Sequence, residues 1–532
     1  MNKDDIINRL NELSSSFAFG RVLSYTAFQE NIGLHNSAER SSMDNKNRLM
    51  GTELGFLMGL WACNYNPCVK GWNIDKDDQI IDEVLNLMDK LHSYYLPNEE
   101  MNIYQQIPEI AFYEGDEGYD WQFIQFAESK YNDADIQKHL LDEFEFNTKF
   151  IRSLYVKCKN NIEVQMKERI NCKKKSHSYI SPINLFTLKP NKLEKILCKE
   201  EWQILMRLSQ PLGNKEFAPM KSITDENPFS YFPVIKLPND RGFFFGSFIH
   251  FAVALNENPY YWLFKDSNIN RDYLAKTRGM IAEKIVSDIL KKRFPNENIY
   301  IAQPIQKTKH RCNDTDIDVM LIHFESVIVF QVKSKRLSLL SKRGNEASIE
   351  DDFKKAIGNA YNQGVKCIDA LKSYSQYCSL KSITQLESVR KYYNFCITLD
   401  QYPTLSTISL YKSYDVEKCD IPLMALSIYD LDAIVSLLPL EYFNDFMIYR
   451  EEAAMNKIYG INEMYYLGAY MCNIIYDLDI HLEYNSIPRE YAIFVDEIFN
   501  NVHIENRKIR SVNDIRKLIE RKNIQVPFLL QS

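Results

Sequence analysis

The chain has 532 residues, 45% hydrophobic and 25% charged, with only 17 Gly and 18 Pro. That composition suits two to four globular domains and excludes a repetitive, collagenous or linker-rich architecture. A net charge of −7 argues against general coating of nucleic acid, and no apolar stretch is long enough to span a bilayer.

The polar, acidic opening Met1-Asn2-Lys3-Asp4-Asp5 does not resemble a signal peptide. The 11 cysteines include no C-x-x-C pair and read as reduced, mostly buried thiols. The expected location is the cytoplasm, with no membrane partner. Residues 1–170 read as mainly helical, with apolar side chains at three- and four-residue spacing across 78–92 and 133–149. The acidic run 114–118 reads as a loop. The basic stretch 173–178 reads as a surface connection, its alternative role being a phosphate contact. One helix is predicted over 192–208, ending near Pro211, and Pro219, Pro228, Pro233 and Pro238 then mark irregular or edge-strand chain.

The aromatic cluster Tyr260, Tyr261, Trp262 and Phe264 can pack one domain against another or stack on bases. Neither a G-x-x-x-x-G-K nor a G-x-G-x-x-G loop occurs, which excludes a recognisable ATP motor or dinucleotide site.

Residues 271–344 hold 15 Lys and Arg against 8 Asp and Glu, a basic island in an acidic chain. A helix is predicted over 271–293, closed by Pro295, with Glu283 at the rim of its apolar half. Strands follow at 298–305, 316–323 and 326–333, the last two joined as a hairpin by a short turn. Period two puts Asp318 on one face with Met320 and Ile322, and Gln331 and Lys333 on one face with Val327 and Val329. The third strand starts apolar on both faces and reads as central. A second helix, 352–372, carries Gln363 at the margin of its apolar face, and a strand at 392–399 completes the series.

These strands carry a carboxylate, an amide and an ammonium where a buried strand should have none. Groups of that kind are costly to bury without partners, so they are expected to gather around a metal ion and a phosphate. Glu283, Asp318 and the Gln331-Val332-Lys333 element resemble the PD-(D/E)xK phosphodiesterase superfamily, the restriction-endonuclease-like fold. The resemblance covers residues 271–400. It implies an α/β core of αβββαβ order, a mixed sheet flanked by helices. It also implies Mg²⁺, or Mn²⁺ as substitute, held by Glu283, Asp318 and Gln331, with Lys333 orienting or activating the attacking water. Gln363 would support the lysine or the phosphate, and Lys335 and Arg336 would touch neighbouring phosphates. The family's proline is replaced by Ile317, and its acidic D/E position by Gln331, which offers a neutral oxygen and no charge. Asp316 can assist as an outer carboxylate.

The implied function is a metal-dependent nuclease acting on DNA in defence against foreign DNA, with a partner protein of such a system. A homodimer or higher oligomer would supply two active sites. A catalytically inactive nucleic-acid-binding scaffold is the alternative, and an RNA-cutting enzyme the third option. The expected division is a helical sensor or oligomerisation region (1–240), the nuclease domain (241–404) and a mixed, mainly helical C-terminal region (405–532). A zinc site built on His310, Cys312 and His323 lacks a fourth ligand.

Overall fold

In the computed structural model the described residues are 2–33, 49, 51–94, 118–173, 181–308, 315–342, 345–400, 402, 421–456, 458, 460, 462–477 and 487–527. They divide into two compact units, Met1–Thr277 and Arg278–Ser532. Each is an arrangement of helices around a mixed sheet. The acidic run at 114–117 and the basic stretch from 174 lie outside the described residues.

The first unit opens with helices α1 (Lys3–Ser14), α2 (Phe19–Gly33), α3 (Gly51–Asn64), α4 (Asp77–His92), α5 (Asp120–Lys130), α6 (Ala134–Phe144) and α7 (Ile151–Lys173). Local chemistry starts α1: the Asn2 side chain accepts from the Asp5 amide at 2.8 Å, and Asp5 reciprocates at 3.1 Å. Two of the helix's orphan donors are thereby satisfied. Helix α3 is apolar nearly all round and runs through the core; its Trp61 donates to the Ser16 carbonyl at 3.1 Å.

Residues 192–208 form two helices instead of one, α8 (Pro190–Ile196) and α9 (Lys199–Arg207). Leu197 and Cys198 are extended between them, and the Cys198 amide donates to Glu201, which caps α9. The polar spacing continues across the break, so periodicity alone does not reveal it. Strands β1 (Thr187–Leu188), β2 (Ser209–Pro211), β3 (Val234–Leu237) and β4 (Gly242–Phe244) form a sheet of order β1-β4-β3-β2. Helix α10 (Phe248–Lys265) closes the unit. A division at residue 240 would cut the β3–β4 hairpin, so that expected boundary is replaced by one near 277.

The aromatic cluster packs inside this unit. Trp262 lies 5.1 Å from Phe146 between ring centroids, with the Arg207 guanidinium 4.8 Å over its face. Tyr260 stacks on Phe264 at 6.0 Å.

Helix α11 (Arg271–Leu290) crosses the division between the units. The second unit continues with β5 (Ile299–Ile305), β6 (Thr315–His323), β7 (Ser326–Lys333), α12 (Glu346–Phe353), a π turn (Lys354–Gly358) and α13 (Asn359–Lys372). Then come β8 (Lys391–Thr398), β9 (Met424–Ser427) and helices α14 (Ile428–Leu437), α15 (Phe443–Met455), α16 (Glu463–Tyr476), α17 (Arg489–Ile504) and α18 (Val512–Lys522). The sheet order is β5-β6-β7-β8-β9. The first three strands are antiparallel, while β8 runs parallel to β7 and β9 parallel to β8.

The predicted elements of this region recur within three residues, except that the second helix starts earlier, at Glu346, and is divided by the π turn. Strand β7 is central, as two apolar faces require. Met320, Ile322, Val327 and Val329 pack on Cys367, Ile368 and Leu371 of α13. Each such side chain contributes about 1.5–3 kcal/mol on full burial. Gly364 lets α13 approach β8: a Cβ there would lie 1.9 Å from Asn394 Oδ1.

Strand β9 extends the sheet from beyond residue 404, so the expected boundary at 404/405 also falls inside one unit. Among the C-terminal helices, Arg450 and Glu463 form a buried pair with contacts of 2.8–3.0 Å. Among the described residues no helix is long and apolar enough to cross a membrane.

Candidate active site

The site is built at the end of the β6–β7 hairpin. Its two-residue turn has Phe324 in the left-handed region at φ 51°, and the register runs from His323 opposite Ser326 to Val319 opposite Phe330. Beyond that last pair come Asp318 and Gln331. The Val332 amide donates to Asp318 Oδ2 at 2.7 Å, so a side chain takes over where the backbone ladder stops. Asp318 is thereby fixed against the end of β7 while remaining buried.

Lys333 Nζ stands 3.6 Å from Asp318 Oδ2 and donates to Gln363 Oε1 at 2.9 Å. The other end of the Gln363 amide donates to the Asp316 carbonyl at 3.1 Å and to Asp316 Oδ1 at 3.2 Å. Gln363 therefore ties α13 to both hairpin strands and holds the lysine in place. The π turn before α13 rotates the following residues relative to a continuous α-helix.

The same carbonyl of Asp316 accepts from Gln331 Nε2 at 3.3 Å and from Cys367 Sγ at 3.3 Å. Gln331 is fully buried and also donates to the Cys367 sulfur at 3.4 Å. Its amide nitrogen is thereby committed within the fold.

Glu283 faces these groups from α11. Its carboxyl is pushed up to about 7 by burial first, then by the Asp318 and Asp316 carboxylates, with Lys333 opposing. Asp318 is also raised, chiefly by burial, against the pull of Lys333 and the Val332 hydrogen bond. The site thus sets carboxylates near one ammonium, and ionising Glu283 there is unfavourable without further positive charge.

Of the residues proposed from sequence, Glu283, Asp318, Gln331, Lys333 and Gln363 gather here. The other two are engaged within the fold. Lys335 Nζ pairs with Asp352 at 2.7 Å, and buried Arg336 lies 3.3 Å from Asp400, which also binds Arg278. Asp352 further accepts from the Ser338 amide and the Ser341 hydroxyl, both at 2.6 Å, which sets the loop after β7.

Sequence reading missed the Asp316 carbonyl as the hub, and Cys367 with it. Cys367 lies four residues after Gln363 on one helix, a spacing that places both on the same face. Its thiol is pushed up to about 12, chiefly by burial, and so is inert. Of the rival zinc ligands, His310 and Cys312 lie outside the described residues, while His323 is buried with its ring 5.1 Å from that of Phe294.

Opposite Asp318 on the other side of β6, the register of β5 passes from Ile301 to Gln303 across Ala302. Ala302 has φ 48°, a conformation that costs a residue with a Cβ about 1 kcal/mol or more.

Among the described residues no three His, Cys, Asp or Glu side chains converge at metal-ligand spacing. The Glu283 and Asp318 carboxylates and the Gln331 amide offer hard oxygen of the kind that Mg²⁺ or Mn²⁺ would take. The carboxylate crowding at Glu283 fits a site that a divalent cation would relieve. Comparison of the chain with protein-family models, curated proteins and solved structures finds no match.

Proposed function

We propose that the second unit is a metal-dependent nuclease that hydrolyses phosphodiester bonds, with DNA as its substrate. The observation that carries this reading is Lys333, held by Gln363 beside Asp318 while Glu283 faces the same carboxylates from another element. The order helix, three antiparallel strands, helix, parallel strand supports the restriction-endonuclease-like reading.

Glu283, Asp318 and the Gln331 oxygen would hold Mg²⁺ or Mn²⁺. When bound, the cation supplies a more acidic water and neutralises charge on the phosphate. The chain's own residues do the positioning. Lys333 presents an ammonium that can hold the attacking water or a non-bridging phosphate oxygen. Gln363 accepts from that ammonium and so fixes it beside Asp318. The Val332 amide keeps the Asp318 carboxylate oriented.

Purified full-length chain with Mg²⁺ or Mn²⁺ should degrade plasmid DNA, and Asp318→Ala or Lys333→Ala should lower the rate by about 10²–10⁴-fold. Labelled RNA in the same assay separates the RNA-cutting reading. Cutting by both variants at the wild-type rate would remove these residues from the mechanism.

A second reading, a nucleic-acid-binding scaffold without catalysis, is favoured by Gln331, whose deep burial and bonds to Asp316 and Cys367 suit a purely structural role. Wild-type protein inert towards both nucleic acids with either metal, yet retaining salt-sensitive DNA binding, would establish it.

A further inference from the structure

We infer that the first unit holds a separate binding site for a nucleotide, in a cleft between Gln165 of α7, the chain from 181 to 192 and the β3–β4 turn. This inference stands apart from the nuclease reading, since every residue of the cleft lies in Met1–Thr277.

The cleft has a volume of about 730 Å³, within the range of pockets that enclose a ligand of nucleotide size. Three cations line it, Lys189, Lys192 and Arg241, against the one carboxylate of Asp240. Among the described residues the structure shows no ion pair for any of the three. A concavity lined by three cations outside any ion pair and by a single carboxylate favours an anion there.

The walls are built, not loose. Gln165 reaches from α7 and donates to the backbone carbonyls of Asn184 and Thr187 at 2.7 and 3.0 Å, which fixes the chain below Lys189. Opposite, Asn239 and Asp240 occupy the left-handed region at φ 57° and 52°, which Asn and Asp tolerate and which a tight hairpin turn requires. Gly242 follows at φ 129°, where a Cβ would lie 2.5 Å from the Leu188 carbonyl oxygen, so β4 closes tightly on β1 and sets the position of Arg241.

A second feature selects among anions. The Arg241 guanidinium lies 4.7 Å over the Phe17 ring, and both residues line the cleft. A guanidinium plane backed by an aromatic ring is a platform on which a nucleobase stacks. Lys189 and Lys192 then serve the phosphates, and the cleft is roomier than a bare phosphate needs.

The test is calorimetric titration of the full-length chain in EDTA, using ATP, GTP, AMP and inorganic phosphate as probes. Removing divalent cations keeps the readout independent of cleavage, so failure here leaves the nuclease reading standing, and the reverse. The expected result is saturable binding of at least one nucleotide, one per chain. Arg241→Ala and the double variant Lys189→Ala/Lys192→Ala should each weaken it ten-fold or more, with unfolding temperature unchanged. Arg241→Lys, which keeps the charge but not the plane, should weaken nucleotide more than it weakens phosphate. The inference is overturned if no nucleotide saturates, if binding survives both the Arg241→Ala and the double-lysine variants, or if inorganic phosphate binds as tightly as the nucleotides.

Discussion

Glu283 is the residue at which the site's electrostatics can be read without substrate. Its carboxyl is raised from the ordinary 4.5 to about 7, so between those values the unfolded chain has lost its proton while the folded chain retains it. Stability linked to this group is therefore complete below about pH 4.5 and is lost as pH rises through about 7. Thermal unfolding of metal-free protein should show this decline, and Glu283→Gln should flatten it. A divalent cation competes with that proton, so Mn²⁺ affinity measured by calorimetry should rise between pH 6 and 7.5 in the wild type. Gln331 gives the complementary test. Gln331→Glu removes the donor to Asp316 and Cys367 and adds a further carboxylate beside Asp316, Asp318 and Glu283, so metal-free protein should lose about 1–3 kcal/mol of stability. Recovery on adding Mn²⁺ would identify position 331 as a ligand position, and no recovery would leave it structural.

At the scale of elements, the contact of α13 with β8 is the most exacting in the second unit. Gly364→Ala would drive a methyl into Asn394, whose amide donates to the Tyr361 carbonyl at 3.0 Å. Overpacking of this kind costs about 1–3 kcal/mol. Because Gln363 is the adjacent residue, DNA cleavage should fall as well, which a chemical-denaturation series alongside the nuclease assay would detect. The hairpin and its flanking helices were legible in sequence because β6 and β7 are long, apolar on both faces and interrupted by polar groups only near the site. The break at Leu197–Cys198 was not legible, since it rests on a cap that keeps the helical spacing on either side. The sheet of the first unit was hidden for another reason: its strands have two to four residues, too few to display a period of two. Asp318 and Lys333 could be placed at one end of the hairpin from register, whereas the rim of a helix face says of Glu283 and Gln363 only that each flanks the core, and the ion pairs of Lys335 and Arg336 could not be foreseen. Their partners, Asp352 and Asp400, follow in the chain only after an intervening segment that no local pattern ties to them.

At the scale of the whole molecule, the chain's division into two units places the boundary near 277 and joins the C-terminal region to the candidate nuclease sheet. A chain cut after residue 404 would lose β9, and with it the partners of Arg293, which donates to the Val435 and Ser436 carbonyls at 3.0 and 2.8 Å and also binds Ile509. Such a chain is expected to be aggregated or to unfold without a cooperative transition, whereas the full-length chain should show one, as scanning calorimetry would register. The kink at Ala302 has a related consequence for assembly. Strand β5 forms one border of the five-stranded sheet, and an unbroken border invites a neighbouring molecule to dock by continuing the ladder. Ala302 turns the backbone out of the extended form at mid-strand, and Pro304 two residues on has no amide hydrogen to offer. The border beside Asp318 thus offers no continuous ladder to a neighbouring molecule, and the twofold pairing that a nuclease of the proposed kind would need is expected to be made through other surfaces.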